Sequence, residues 1–158
     1  MNETAKIKAN ELENAGDMSA LYEFIRPYLK KNDPFALYLY SRFSLSEWKE
    51  SVDEFDIRAL ECLQKAAEGG VAEAMYRLSS SYFTGETVLE DQVLGKRYLD
   101  AALAKNFGLA KYSVSLRHFY GVDGYEKNKS KALDLMSEAT KENIEGASEM
   151  LEMIHSSN

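Results

Sequence analysis

Two histidines and one cysteine are the side chains of this 158-residue sequence best fitted to metal, nucleophilic or proton-transfer chemistry. His118 and His155 stand 37 residues apart, whereas a zinc site draws its ligands from closely spaced His, Cys and carboxylate clusters. Cys62 has no base placed beside it, so its thiol lacks the activation a nucleophile needs, and it reads as a small core hydrophobe. Gly69-Gly70 lacks the following Lys-Ser/Thr of a phosphate loop and reads as a helix stop. The stretch from Gly121 to Asn128 holds a single Asp and a single Glu, too few oxygens for a calcium loop, and reads as a turn. The remaining carboxylates scatter without an apolar pocket that would pair them as acid and base. No catalytic residue, cofactor or metal is therefore expected.

Composition narrows the classes further. The chain is 45% hydrophobic and 28% charged, which suits a globular domain. Its 19 Lys and Arg against 26 Asp and Glu leave a net charge of −7. A phosphate backbone would meet no general attraction, so nucleic acid is not an expected partner. No run reaches the roughly 18 apolar residues of a membrane span, and Met1 to Asn14 carries Lys, Glu and Asn where a secretory leader needs an apolar run. The expectation is a cytoplasmic protein without membrane insertion, whose lone cysteine fits a reducing compartment.

Helices must position whatever site exists. Prolines number two and glycines nine, and apolar residues recur three and four apart from Ala5 to Ile154. These helices repeat. Ala36, Ala74, Ala110 and Ala147 fall 38, 36 and 37 residues apart, each opening the second helix of a pair. Fifteen residues earlier stand Leu21, Ala59, Gly95 and Ala132. Four residues before the alanines stand Asn32, Gly70, Asn106 and Asn143, types that tolerate the left-handed conformation ending a helix. Asp17, Asp91 and Asn128 supply capping oxygens to the first helices of three pairs, Asp53 or Asp56 substitutes in the remaining one, and Asp33-Pro34 marks a further start. The pattern predicts a leading helix over 3–15 and four antiparallel pairs: 18–31 with 34–47, 56–69 with 72–84, 92–105 with 108–120, and 129–142 with 145–156. Pro27 should kink or loosen the first pair. Such pairs stack as an all-α superhelix, a single solenoid domain over 1–158. It comprises an N-terminal helix (1–16), a degenerate repeat (17–54) and repeats at 55–90, 91–127 and 128–158.

The columns Ala74, Leu78, Ser79, Tyr82, Gly85, Val88, Asp91 and Tyr98 resemble the Sel-one-like repeat, a relative of the tetratricopeptide repeat. So do Ala110, Val114, Ser115, Gly121, Val122, Lys131, Ala132 and Ala139. The likeness covers 56–154 well and 17–47 weakly. Serine stands at the family's close-approach glycine, Gly95 replaces an alanine, and Glu47 takes the place of a glycine in the first unit, which bears on that unit's geometry. The resemblance implies a non-enzymatic scaffold that binds proteins or peptides.

Two surfaces are candidates for holding such a partner. Residues 1–46 carry six acids and six bases and residues 92–158 nine and nine, whereas residues 47–91 carry eleven acids against four bases. Within that segment Glu50, Glu54, Asp56 and Glu61 are expected to form an acidic face that steers a basic protein. A helical advance of about 100° per residue leaves part of each second helix facing outward. Leu39, Arg42, Phe43, Arg77, Ser81, Ser113, Arg117 and Tyr120 fall there, and arginine and aromatic residues among small polar ones suit a protein-binding groove. The alternative in both places is ordinary solvated surface. Analogy with how such repeats are used sharpens the expectation to a bacterial immunity protein that neutralises a basic toxin or effector by direct binding. The alternatives are a cytoplasmic adaptor in signalling or envelope regulation, and an enzyme or small-ligand protein using a groove between repeats.

Overall fold

The computed structural model describes residues 1–157. Among them are nine α-helices, one 3₁₀ turn and no strand. In chain order they are α1 (Glu3–Asn14), α2 (Met18–Leu29), α3 (Pro34–Tyr40), the 3₁₀ turn Ser46–Trp48, α4 (Val52–Glu68), α5 (Ala72–Thr84), α6 (Gln92–Ala104), α7 (Gly108–Tyr120), α8 (Lys129–Lys141) and α9 (Ala147–Ser156). This is the expected leading helix followed by four pairs.

Local signals account for most of the boundaries. Ala36, Ala74, Ala110 and Ala147 are each 0% exposed, so the column that defines the repeat faces inward. Asn32, Asn106 and Asn143 have φ of 52, 62 and 56°, and Gly70 has 88°. All four members of the helix-stop column thus take the left-handed conformation that turns the chain. Asp17, Asp91 and Asn128 accept the amides of Ala20, Leu94 and Lys131, each at 2.9 Å, and Asp33 caps α3 with Pro34 in its first turn. Pro27 lies inside α2, which ends two residues later at Leu29.

Two boundaries differ from expectation by more than two residues, both in the first pairs. α4 begins at Val52 because Ser51 and Glu54 form a reciprocal capping box. The Glu54 amide donates to the Ser51 hydroxyl at 3.3 Å and the Ser51 amide to the Glu54 carboxylate at 2.8 Å. Asp53 and Asp56 are therefore not the caps. α3 stops at Tyr40 instead of running on to 47. The carbonyls of Tyr40 and Phe43, which a continuing helix would pair within itself, instead accept Arg58 Nη1 at 2.7 Å and Nη2 at 3.0 Å.

The chain divides into two compact units, Met1–Ala74 and the part from Met75 onward, a boundary that falls inside the expected repeat 55–90. In the first, α1 packs on α2, α2 on α3 and α3 on α4, with Leu21, Ile25, Ala36 and Leu39 fully buried. Aromatic rings fill the space around the irregular segment after α3: Tyr22, Tyr40, Phe43 and Trp48 contact one another with centroids 4.9 to 6.2 Å apart. In the second, α6 packs on α7, α7 on α8 and α8 on α9. Leu99, Ala102, Ala110 and Val114 form one core cluster, and Met136, Ala139, Ala147 and Ile154 form another. The small residues permit close approach. A Cβ at Gly95 would lie 2.8 Å from the Phe83 ring, which accounts for glycine where the neighbouring repeats carry alanine.

Candidate functional site

The acidic segment becomes a physical surface on α4. One side of this helix packs inward through Ala59, Cys62, Leu63, Ala66 and Ala67. Asp53, Glu61 and Ile57, the last 63% exposed, point away from that packing, while Val52, 75% exposed, and Asp56 lie in line with the packed stripe at the helix start, ahead of its contacts, and are exposed there. The spacing of 53, 57 and 61 keeps these three on one face, with Asp56 at its edge. Among the described residues no cation pairs with Asp53, Asp56 or Glu61. Exposed apolar side chains beside unpaired carboxylates make this face a candidate contact surface.

Glu50, expected on this face, is committed elsewhere. Its carboxylate takes Arg58 Nε at 2.7 Å and Nη2 at 2.8 Å in a two-pronged pair, and also accepts the Ser44 hydroxyl at 2.7 Å. The Arg58 hydrogen bond, aided by Ser44, holds its pKa down to about 2. A charge already satisfied in this way has little left to offer a partner. Glu54 is exposed, and its pKa is lowered chiefly by the Ser51 amide. Of the expected acidic face, then, Glu54, Asp56 and Glu61 stand on the open surface and Glu50 does not.

The expected groove fares unevenly. Leu39 and Phe43 are buried, 0% and 7% exposed, so they are core residues and not part of an outward face. Arg42 is exposed but engaged: Nη1 lies 3.0 Å from Glu13 of α1 and 3.2 Å from the Tyr38 hydroxyl. In the second unit Arg77 and Tyr120 are exposed, while Ser81 and Ser113 are half-buried, Ser113 lying 3.2 Å from the Tyr76 hydroxyl. Arg117 turns inward, its Nε 3.0 Å from Asp123 and its guanidinium 4.4 Å from the Phe83 ring centroid.

Sequence reasoning missed Val52 and Asp53 because it started α4 too late, and it passed over Ile57 although the expected helix 56–69 included it. The signal that would have placed them is the Ser51-x-x-Glu54 pattern of a capping box. It also missed Tyr40 and Trp48, which line a surface cleft with Lys49, Glu50 and Glu54. A second cleft, of about 410 Å³, lies in the second unit beside α6. Its Asp100 accepts Lys96 at 2.6 Å and the Tyr125 hydroxyl at 2.8 Å.

Of the residues that first suggested chemistry, His118 and Cys62 are placed as buried structural groups and His155 is exposed on α9. His118 is buried, with Nδ1 2.9 Å from the Glu126 carbonyl and its ring edge-on to Tyr125 at 5.2 Å. Cys62 is buried, and burial pushes its thiol pKa up, away from the reactive thiolate. Among the described residues no group of three or more His, Cys, Asp or Glu is placed to hold a metal, and no helix is long and apolar enough to cross a membrane.

These features define a class: an all-α solenoid of repeated helix pairs, a helical-repeat protein-interaction fold. The Sel1 repeat family model matches residues 56–71, 72–107 and 108–143, more than half of the chain, and the chain belongs to that family. Its members are generally non-catalytic protein-interaction scaffolds. The family's unit opens on the second helix of each pair, half a repeat out of phase with 55–90 and 91–127, and the match leaves α1 to α3 outside it. A Sel1 repeat protein from Oxalobacter formigenes is similar with a TM-score of 0.70 and 25% identity, over 81% of this chain and 94% of that one. A protective antigen of uropathogenic Escherichia coli strains, which displays an SLR fold, is similar in fold with a TM-score of 0.62 and 15% identity. That likeness covers 85% of this chain but 36% of that one. No curated protein matches the chain.

Proposed function

We propose that this chain captures a basic protein partner on the exposed face of α4 without catalysis of its own. We further propose that it acts in the cytoplasm as an immunity protein, neutralising a basic toxin by direct contact. The observation that supports this reading is the coincidence on one helix of unpaired Asp53, Asp56 and Glu61 with exposed Val52 and Ile57. The apolar residues supply contact energy and the carboxylates accelerate and orient the approach of a basic surface. Arg77 and Tyr120 in the second unit are proposed as further contact residues. Arg117 is left out because its guanidinium is held by Asp123 and Phe83.

The test is a pull-down from a toxin-producing strain, followed by co-expression with the toxin recovered. Protection by the wild-type chain that is lost when Asp53, Asp56 and Glu61 are all changed to lysine supports the proposal. Association of the reversed variant should be roughly ten-fold slower at low ionic strength, with the difference shrinking as salt is added. Recovery of no toxin, together with no protection, removes the immunity role. Recovery of a basic signalling or envelope protein instead assigns the chain to the adaptor class.

A further inference from the structure

The irregular segment between α3 and α4 opens a cleft of about 330 Å³ lined by Tyr40, Trp48, Lys49, Glu50 and Glu54. Tyr40 and Trp48 meet edge-on with centroids 5.6 Å apart and supply aromatic wall. The two carboxylates differ in what they already hold. Glu50 is neutralised by Arg58. Glu54 receives only the neutral donors of Ser51, its amide and hydroxyl both 2.8 Å from Oε2. These donors keep Glu54 ionised, and no cation pairs with it among the described residues. An aromatic wall beside an unpaired carboxylate is the arrangement that holds an ammonium or guanidinium group. The protein uses the same chemistry internally one step away, where the Arg58 guanidinium lies 4.1 Å from the Tyr40 ring centroid and 5.4 Å from that of Trp48 while paired with Glu50.

We propose that this cleft anchors one lysine or arginine side chain of the partner's basic segment, seated against Trp48 and Tyr40 and paired with Glu54. Continuity and charge argue for that occupant. Glu54 lies in the first turn of α4, adjacent to Val52 and Asp53, so a chain anchored in the cleft runs directly onto the face of Asp53, Asp56, Ile57 and Glu61. The inference rests on the proposed function and sharpens it, from a basic partner to a basic partner with one inserted cationic side chain. Lys49 opposes it at the rim. It is exposed, and its charge rides on a flexible stem that swings aside at modest cost.

Trp48 is the only tryptophan of the chain, so its emission reads the cleft in the intact protein. The probe is a synthetic amphipathic peptide rich in lysine and leucine, with binding measured independently by calorimetry. Trp48 emission should change saturably with the same Kd as the heat. Glu54→Gln keeps a capping side chain but removes the charge, and should weaken binding roughly three- to ten-fold. Lys49→Ala removes the opposing cation and should tighten it about two-fold. Asp56→Lys with Glu61→Lys should weaken binding yet leave the emission change at saturation intact. Binding that is sensitive to Asp56 and Glu61, with Trp48 emission and the Glu54→Gln affinity unchanged, overturns the cleft and leaves the α4 face standing. Absence of both heat and emission change, at two temperatures, overturns both. An equal emission change with spermine alone, at the same concentration, makes the cleft a site for free amines and overturns its role as the partner's anchor.

Discussion

The two units close their helix pairs by different means. In the second, the neighbours fit because little side chain intervenes. Gly95 admits the Phe83 ring, and the Ser115 hydroxyl, fully buried on α7, donates to the Ala132 carbonyl on α8 at 2.6 Å. The α7–α8 connection is tied by its own backbone, with the Asn128 amide donating to the His118 carbonyl at 2.7 Å. In the first, the second helix of the pair has only seven residues, and one guanidinium replaces the missing turns. Arg58 holds two carbonyls and one carboxylate while its plane lies near Tyr40, Trp48 and Phe55. The second unit uses charge too, buried Lys111 of α7 pairing with Glu138 and Glu142, but there it joins helices that are themselves complete. The broken repeat needs a charged side chain to stand in for helix, and that substitution brings aromatic and acidic groups to the surface together. The candidate site lies where the repeat is broken.

Removing the stand-in gives the largest effect on this contrast. Arg58→Met keeps the stem but orphans the Tyr40 and Phe43 carbonyls and leaves Glu50 only the Ser44 hydroxyl, at a cost of about 3 kcal/mol in urea unfolding followed by Trp48 emission. Acid sharpens the result. The folded pKa of Glu50 is depressed to about 2 from the ordinary 4.5. The stability it contributes is therefore complete above about 4.5 and is lost as pH falls toward about 2. The Met variant should lose less stability across that window than the wild type. Parallel pH curves would mean that the pair does not hold the segment.

A smaller effect probes the other mode of closure. Gly95→Ala puts a methyl 2.8 Å from the Phe83 ring, a clash worth about 2 kcal/mol, offset by about 1 kcal/mol of helix propensity. The net loss of roughly 1 kcal/mol should vanish when Phe83→Leu is added, as a double-mutant cycle would show. A cycle without coupling would remove close approach as the explanation for glycine at this position.

How much of this was legible follows from the same contrast. Ala74, Ala110 and the left-handed stops could be read because each depends on the repeat period and on its own residue type, and both are local. Leu39 and Phe43 could not. Helical angles counted along 34–47 presume a helix that ends at Tyr40. The leading helix, which has no counterpart in the later pairs, also brings Glu13 to Arg42 and Lys6 over the Phe35 ring at 5.4 Å. An arc left open in the other pairs is thus not open in this one. The acidic character of the α4 face was visible in the charge count. The removal of Glu50 from it was not, since that depends on Arg58 meeting Glu50 eight residues away across an irregular turn.

The stop column tests what the two units share, and it carries the smallest effect. Asn32 in the first unit and Asn106 and Asn143 in the second have φ within 52 to 62°. A Cβ-bearing residue pays for this conformation, and asparagine pays less than alanine because its short amide bonds locally. Asn→Ala at each position should therefore cost about 0.5–1 kcal/mol in urea unfolding. The three losses should agree within about 0.5 kcal/mol, because the strain is set by the residue's own backbone and not by how its unit is packed. Asn→Gly, which carries no Cβ, should restore each position to near wild-type stability. A loss at Asn32 well above the other two would show that the first unit's helix stop also bears packing strain, and the difference between the units would then extend to the turn they were taken to have in common.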